Sequence, residues 1–82
     1  MTATFGTVFS VTAAWDAEAG VWHVSGSDIQ GLNVEGETFE AFSQQVRLAA
    51  ADLLALNHDV SGTGTVALEI TARRSEEIPL AP

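Results

Sequence analysis

Apolar and polar positions alternate along the first part of the chain with the period of two that is typical of β-strands. Over 7–15 the larger apolar side chains occupy odd positions, which predicts a strand with one buried face. Residues 16–20 form the expected hairpin loop, in which Gly20 takes the positive φ needed to re-enter the sheet. A second strand is predicted over 21–25 and a short third strand over 32–35. We therefore expect an antiparallel meander of three strands.

The period changes in the middle of the chain. Between Phe39 and Leu56 apolar side chains recur at intervals of three and four residues, which predicts an amphipathic helix. Thr38 is the expected N-cap, and Asn57 is expected to end the helix in the left-handed conformation. Alternation returns over 65–73 and predicts a fourth strand. The order is then β-β-β-α-β, and the helical crossover should place the last strand parallel to the first.

These elements predict an α+β domain in which a four-stranded mixed sheet carries one helix on one face. The 82 residues have room for a single core, which we assign to 1–74, with a flexible C-terminal tail over 75–82. The sequence contains no cysteine, which excludes disulfides, thiol nucleophiles and zinc–thiolate sites. The N-terminus lacks the features of a secretory signal and no apolar run is long enough for a membrane span, so we expect a cytoplasmic protein.

The charge of the chain is strongly unbalanced, with eleven Asp and Glu residues against three Arg residues and no Lys. Phosphate groups repel such a surface, so we expect no direct binding of nucleic acid. The charge instead suits a basic protein partner, although acidic residues also serve solubility alone.

Several short motifs stand in a distinctive order and spacing. They are Trp15-Asp16-x-Glu18-Ala19-Gly20-Val21-Trp22, Ser27-Asp28-Ile29-x-Gly31-Leu32, Glu35-Gly36-Glu37-Thr38 and Asp52-Leu53-Leu54-Ala55-Leu56-Asn57. This combination resembles the HicB-like antitoxin fold and, more closely, a small domain family of unknown function that is grouped with HicB.

The resemblance implies a truncated ribonuclease-H-like sheet without nuclease activity. HicB proteins typically bind and inhibit a small, basic ribonuclease toxin, which implies a partner of that kind here. Many HicB proteins also carry a C-terminal DNA-binding segment. Residues 75–82 are too few for such a segment, so operator binding is not expected.

The residues themselves suggest no catalytic site. A ribonuclease-H-type site needs a carboxylate in the middle of the first strand, and 7–15 contains none. Asp16, Glu18 and Asp28 would bind a divalent cation weakly if the fold gathered them at one end of the sheet, although solvated turn carboxylates are favoured. We therefore predict no catalytic residue, no metal ligand and no cofactor.

Two surfaces remain as candidates for binding. Trp15 and Trp22 are predicted on the helix-covered side, so the opposite face of the sheet is left with small, nearly uncharged side chains. Such depletion of charge is typical of the centre of a protein interface. The interface candidates on this face are Val8, Ser10, Thr12, Ala14, Val21, His23, Ala67 and Glu69, and the acidic candidates for facing a partner are Asp16, Glu18, Asp28 and Glu35.

We therefore predict a non-catalytic protein-interaction domain that resembles a HicB-like antitoxin and occludes a small basic toxin ribonuclease. A structural homo-oligomer, formed through a face or an edge of the sheet, is an alternative and also the expected assembly. A weak metal-dependent enzyme is a further alternative, whose tight divalent-metal binding would be lost on substitution of Asp16 or Asp28.

Overall fold

The computed structural model describes residues 8–57 and 64–81, and it confirms the order β-β-β-α-β. The sheet order is β3-β2-β1-β4, with β1 antiparallel to β2 and parallel to β4 as predicted. The α+β class is thereby confirmed. The elements are β1 (Val8–Asp16), β2 (Val21–Ser27), β3 (Glu35–Gly36), α1 (Phe39–Leu56) and β4 (Ala67–Arg73).

Several strand boundaries differ from the predicted ones. The third strand was expected over 32–35, but only Glu35 and Gly36 pair with β2, because Leu32 is a buried anchor of the preceding loop. The second strand continues to Ser27, beyond a bulge that shifts the register opposite Thr12 and Ala13. Alternation alone carries no information on such a bulge, since an inserted residue interrupts the period locally.

Smaller differences affect the ends of the other strands. Asp16 is the last residue of β1 and pairs with Val21, whereas the pattern had placed it in the loop. The fourth strand begins at Ala67, two residues later than predicted. Residue 7, where the first strand was predicted to begin, lies outside the described residues, as do 1–6, 58–63 and 82.

The core lies between the sheet and α1. The side chains of Val11, Phe42 and Val46 are essentially inaccessible to water and are the largest of the fully buried ones. They come from β1 and from positions four residues apart on α1, which is the spacing that places helix side chains on one face. The buried cluster is completed by Phe9, Ala13, Ile29, Leu32, Ala50 and Leu54.

The two ends of α1 are held differently. The Thr38 hydroxyl accepts a hydrogen bond from the Ala41 N–H at 3.0 Å, which confirms the predicted N-cap. Asn57 has φ −84° and ψ 1°, so the predicted left-handed ending is wrong. Its N–H donates to the Leu53 carbonyl at 2.8 Å in the helical pattern, while its side-chain amide donates to the Gln30 carbonyl at 3.1 Å. Asn57 therefore ties α1 to a distant loop.

Candidate protein-interaction surface

The loop of the β1–β2 hairpin is shaped by Asp16. Its Oδ1 accepts hydrogen bonds from the N–H groups of Glu18 and Ala19 at 3.0 and 3.1 Å. Its carbonyl accepts from the N–H of Gly20 at 2.7 Å, and Gly20 has the predicted positive φ, 71°. The Asp16 carboxylate is thus part of the loop structure, whereas Glu18 is exposed.

Asp28 has a similar structural role at the opposite end of the same strand pair. Its Oδ2 accepts from the N–H of Ser10 at 3.0 Å, and its own N–H donates to the Ser10 carbonyl at 3.0 Å. The neighbouring Ser27 hydroxyl accepts from the N–H of Ile29 at 2.8 Å and so turns buried Ile29 into the core. The Ser-Asp-Ile motif therefore closes the end of the sheet.

The structure does not bring Asp16, Glu18 and Asp28 together at one end of the sheet, so the cation site considered from the sequence is not formed by these residues. Asp28 lies beside Ser10, six residues along β1 from Asp16, which corresponds to about 20 Å of strand. Within the described ranges, no group of three or more His, Asp or Glu side chains is arranged to hold a metal ion. No helix in the same ranges has the length and apolar character needed to cross a membrane.

A second acidic segment lies next to the hairpin loop. Because β3 is antiparallel to β2 and pairs with Trp22 and His23, it runs towards the end of the sheet that holds the loop, and α1 begins there. Gly36 allows this close approach, since a Cβ at that position would lie 2.7 Å from Phe42 Cα. We call this region the acidic end, defined by the four exposed glutamates Glu18, Glu35, Glu37 and Glu40.

Positive charge is found on the other side of the same end. Parallel pairing of β4 with β1 places Arg73 level with Ala14, so the arginines lie near the hairpin end but on the far edge from β3. Arg74 donates to Glu76 at 3.2 Å, which is the ion pair found among the described residues. Across the hairpin end of the sheet, the charge therefore changes from negative at the acidic end, on the side of β3, to positive at the arginines of β4.

A row of aromatic rings lies beneath the acidic end. The ring centroids of Trp15 and Trp22 are 5.4 Å apart, those of Trp22 and Phe39 are 5.7 Å apart, and those of Phe39 and Phe42 are 6.3 Å apart. The prediction that both tryptophans lie on the helix side is confirmed, although each is only partly buried. The guanidinium of Arg74 lies 4.6 Å from the Trp15 ring centroid and covers the outer end of the row.

The predicted interface residues share the face of the sheet that points away from α1, which we call the open face. Cross-strand partners on it are Val8 with Ala67, Ser10 with Glu69, Ala14 with His23, and Asp16 with Val21. Thr12 lies between Gly26 and Thr71 in the same way. Val8 is 51% exposed, whereas Val21 on the same face is half-buried.

The open face carries more charge than its sequence pattern suggests. Ala14 separates His23 from Arg73, and Glu35 lies on the far side of His23, so one row across the sheet holds three ionisable groups. The sequence prediction included His23 and Glu35 but missed Arg73. Arg73 has an odd position in the alternating β4 pattern, as Ala67 and Glu69 have, and this parity was the signal that could have placed it on the open face.

Comparisons with known proteins give two matches. A family model described as a domain of unknown function, DUF1902, matches residues 8–80. The crystal structure of a hypothetical protein from the extremely thermophilic bacterium Thermus thermophilus is similar, with 26% sequence identity and a TM-score of 0.66. That match covers 90% of this chain and 100% of the Thermus chain. A comparison with curated protein sequences gives no match.

Proposed function

The chain belongs to the DUF1902 family, a domain of unknown function, and from this premise we propose that it is a non-catalytic protein-interaction domain acting in the cytoplasm. Its acidic end binds a small basic protein and covers the functional surface of that protein. The mechanism is steric and electrostatic, and requires no metal or cofactor.

The observation that carries this proposal is the exposed, unneutralised charge of the acidic end. Among the described residues, neither Glu18 nor Glu35 nor Glu37 takes part in an ion pair. Asp16 and Asp28, by contrast, are already bound by backbone N–H groups. Exposed carboxylates on one end of a domain attract a surface of opposite charge and steer its approach.

The resemblance to HicB-like antitoxins supports a finer proposal about the partner. A toxin ribonuclease must present a basic surface to bind RNA phosphates. An acidic domain that occupies this surface inhibits the enzyme by competing with RNA. Of the motifs that carry the resemblance, the acidic hairpin and Glu35-Gly36-Glu37-Thr38 both lie at the acidic end.

The test is an affinity capture with the tagged domain from a lysate of its own cells, at low and at high salt. The acidic-end variant is Glu18→Gln, Glu35→Gln and Glu37→Gln. The matched control is Asp52→Asn, Glu69→Gln and Glu77→Gln, which removes the same number of negative charges from other exposed positions.

We expect a small basic protein to be retained by the wild type and the control at low salt, and to be lost at high salt and from the acidic-end variant. Titration calorimetry with the purified partner should then show an affinity that falls as salt rises. The proposal fails if binding is insensitive to salt or equal for both variants. Inhibition of a ribonuclease activity of the partner would establish the finer proposal.

A second candidate function is self-association through the open face, and the exposure of Val8 next to Ala67 favours it. Val8→Glu would place a charge in such an interface and convert the oligomer to a monomer without unfolding the domain. An oligomer that survives this substitution is formed elsewhere.

A further inference from the structure

The outer edge of β4 is an unpaired edge of the sheet in the described part of the chain, and we call it the bare edge. β4 is the last strand in the sheet order, so within 8–57 and 64–81 its outer N–H and C=O groups pair with no other strand. Its helix-side residues are also poorly covered. Ile70 is half-buried and Ala72 is exposed, whereas their register partners Val11 and Ala13 are 1% and 0% exposed. A long bare edge of this kind is a template for pairing with another strand.

The segment that follows β4, residues 74–81, which we call the tail in this subsection, exposes its apolar side chains to solvent. Residues 74–81 are all exposed, with Ile78 at 77% and Leu80 at 87%. These two are the most exposed of the large apolar side chains in the described residues. The family match reaches residue 80, so the tail belongs to the matched domain.

The alternation of β4 continues through the tail in the same phase. Even positions face the helix side in β4, as Leu68 and Ile70 show. Arg74 keeps this phase, because its guanidinium packs on Trp15 on that side. Counting on by two places Ile78 and Leu80 on the helix side as well, if the tail is a strand.

We propose that two copies of this chain pair through residues 67–81, the tail of each copy lying antiparallel along the bare β4 edge of the other. A two-fold axis perpendicular to the sheet keeps every side chain on its own face, so even positions meet even positions. With the axis near Arg74, Ile78 lies opposite Ile70 of the other copy, and Leu80 lies opposite Leu68. The tail of each copy then pairs with the outer edge of β4 in the other copy and adds Ile78 and Leu80 to its poorly covered apolar side.

The alternative of the tail folding back onto its own β4 is disfavoured by the sequence between them. Residues 74–77 are Arg-Ser-Glu-Glu and contain no Gly, Asn or Pro to form a tight turn. The Arg74–Glu76 ion pair and the contact of Arg74 with Trp15 also occupy the first residues of the tail. This proposal is independent of the basic partner, because the edge of β4 lies on the far side of the sheet from β3.

The first experiment measures the mass of the protein in solution by light scattering at several concentrations. We expect a dimer for the wild type that persists in high salt, because the contacts are apolar and main-chain. Ile78→Ser with Leu80→Ser should give a monomer with an unchanged circular dichroism spectrum. Glu77→Ser with Pro79→Ser is the matched control on the other face of the same tail and should remain dimeric. A monomeric wild type, or a dimeric Ile78 and Leu80 variant, overturns the proposal.

The second experiment locates the contact, using the absence of native cysteine. A chain with Thr71→Cys is mixed with a chain carrying Glu77→Cys, and oxidation should link the two different chains. Cysteines at Glu69 and Arg73 test the neighbouring registers, and Glu18→Cys is the distant control that should not link to Glu77→Cys. Failure to link at all three β4 positions overturns the proposal. So does a chain carrying both Thr71→Cys and Glu77→Cys that links only within itself.

Discussion

The two edges of the sheet are built in opposite ways. At one edge β3 has two residues, and the first turn of α1 packs directly against it because Gly36 has no side chain. At the other edge β4 has seven residues with no strand beyond it in the described part of the chain, and α1 leaves its apolar side half covered. A short, covered edge is complete by itself, whereas a long, bare one gains stability from a partner.

The largest expected effects separate the core from the bare edge. Changing Leu54 to Ala should lower the free energy of unfolding by about 2–5 kcal/mol at every protein concentration, because this side chain on α1 is only 2% exposed. Ile70→Ala should cost only about 1–2 kcal/mol in the isolated chain, because the side chain is already half exposed. Its cost should grow with protein concentration, since Ile70 is buried in the paired form. Urea unfolding at a low and a high protein concentration measures both differences, and an equal concentration dependence for the two variants would contradict them.

The next effect tests the covered edge. Gly36→Ala adds a Cβ within 2.7 Å of Phe42 Cα and 2.9 Å of the Ala41 carbonyl carbon, and backbone atoms do not move aside easily. We expect a loss of about 1–3 kcal/mol in the free energy of unfolding. Gly26→Ala is the matched control in β2, because a Cβ there meets nothing within 4 Å. Thermal unfolding of the two variants should differ clearly, and similar melting temperatures would show that the close approach does not constrain α1.

A smaller effect tests the start of α1 above the covered edge. Thr38→Ala removes the hydroxyl that accepts from the Ala41 N–H, and should cost about 1 kcal/mol. Thr38→Ser keeps that acceptor and should retain most of the stability. If the serine variant loses as much as the alanine variant, the methyl group of Thr38 rather than its hydroxyl is responsible.

The smallest effect concerns the point where the tail leaves β4. Arg74→Gln removes a cation from the Trp15 ring and should cost about 0.5–1 kcal/mol. Tryptophan fluorescence should shift in this variant, because the environment of the ring changes. Arg73→Gln is the control on the open face and should leave the emission unchanged. Equal spectral shifts would mean that the emission does not report on the contact between Arg74 and Trp15.

The fold was predictable where one residue period extends over many positions. The alternation of β1 and β4 and the three- and four-residue spacing of α1 each extend over seven or more residues, and each element was found. The third strand was misplaced because Leu32 is apolar for a different reason, namely that it anchors a loop in the core. The left-handed ending at Asn57 failed because a carbonyl 27 residues away in sequence binds its side chain.

The candidate surfaces were predictable only in part, for a related physical reason. The face of a strand residue follows from parity, so the open face was found and Arg73 could have been added to it. The place of a carboxylate along the sheet depends on register and on bulges, which a single sequence does not encode locally. Asp28 was therefore grouped with Asp16, although a hydrogen bond to Ser10 holds it at the opposite end.

Hydrogen exchange of the β4 and tail amides at a low and a high protein concentration tests the difference between the two edges most directly. If the β4 edge is completed by a second copy, the amides of residues 67–81 gain clearly more protection at high concentration than those of β1 and α1, which gain only what pairing adds to the stability of the whole domain. Exchange of residues 67–81 that is the same at both concentrations, with the protein monomeric throughout, would contradict pairing at that edge.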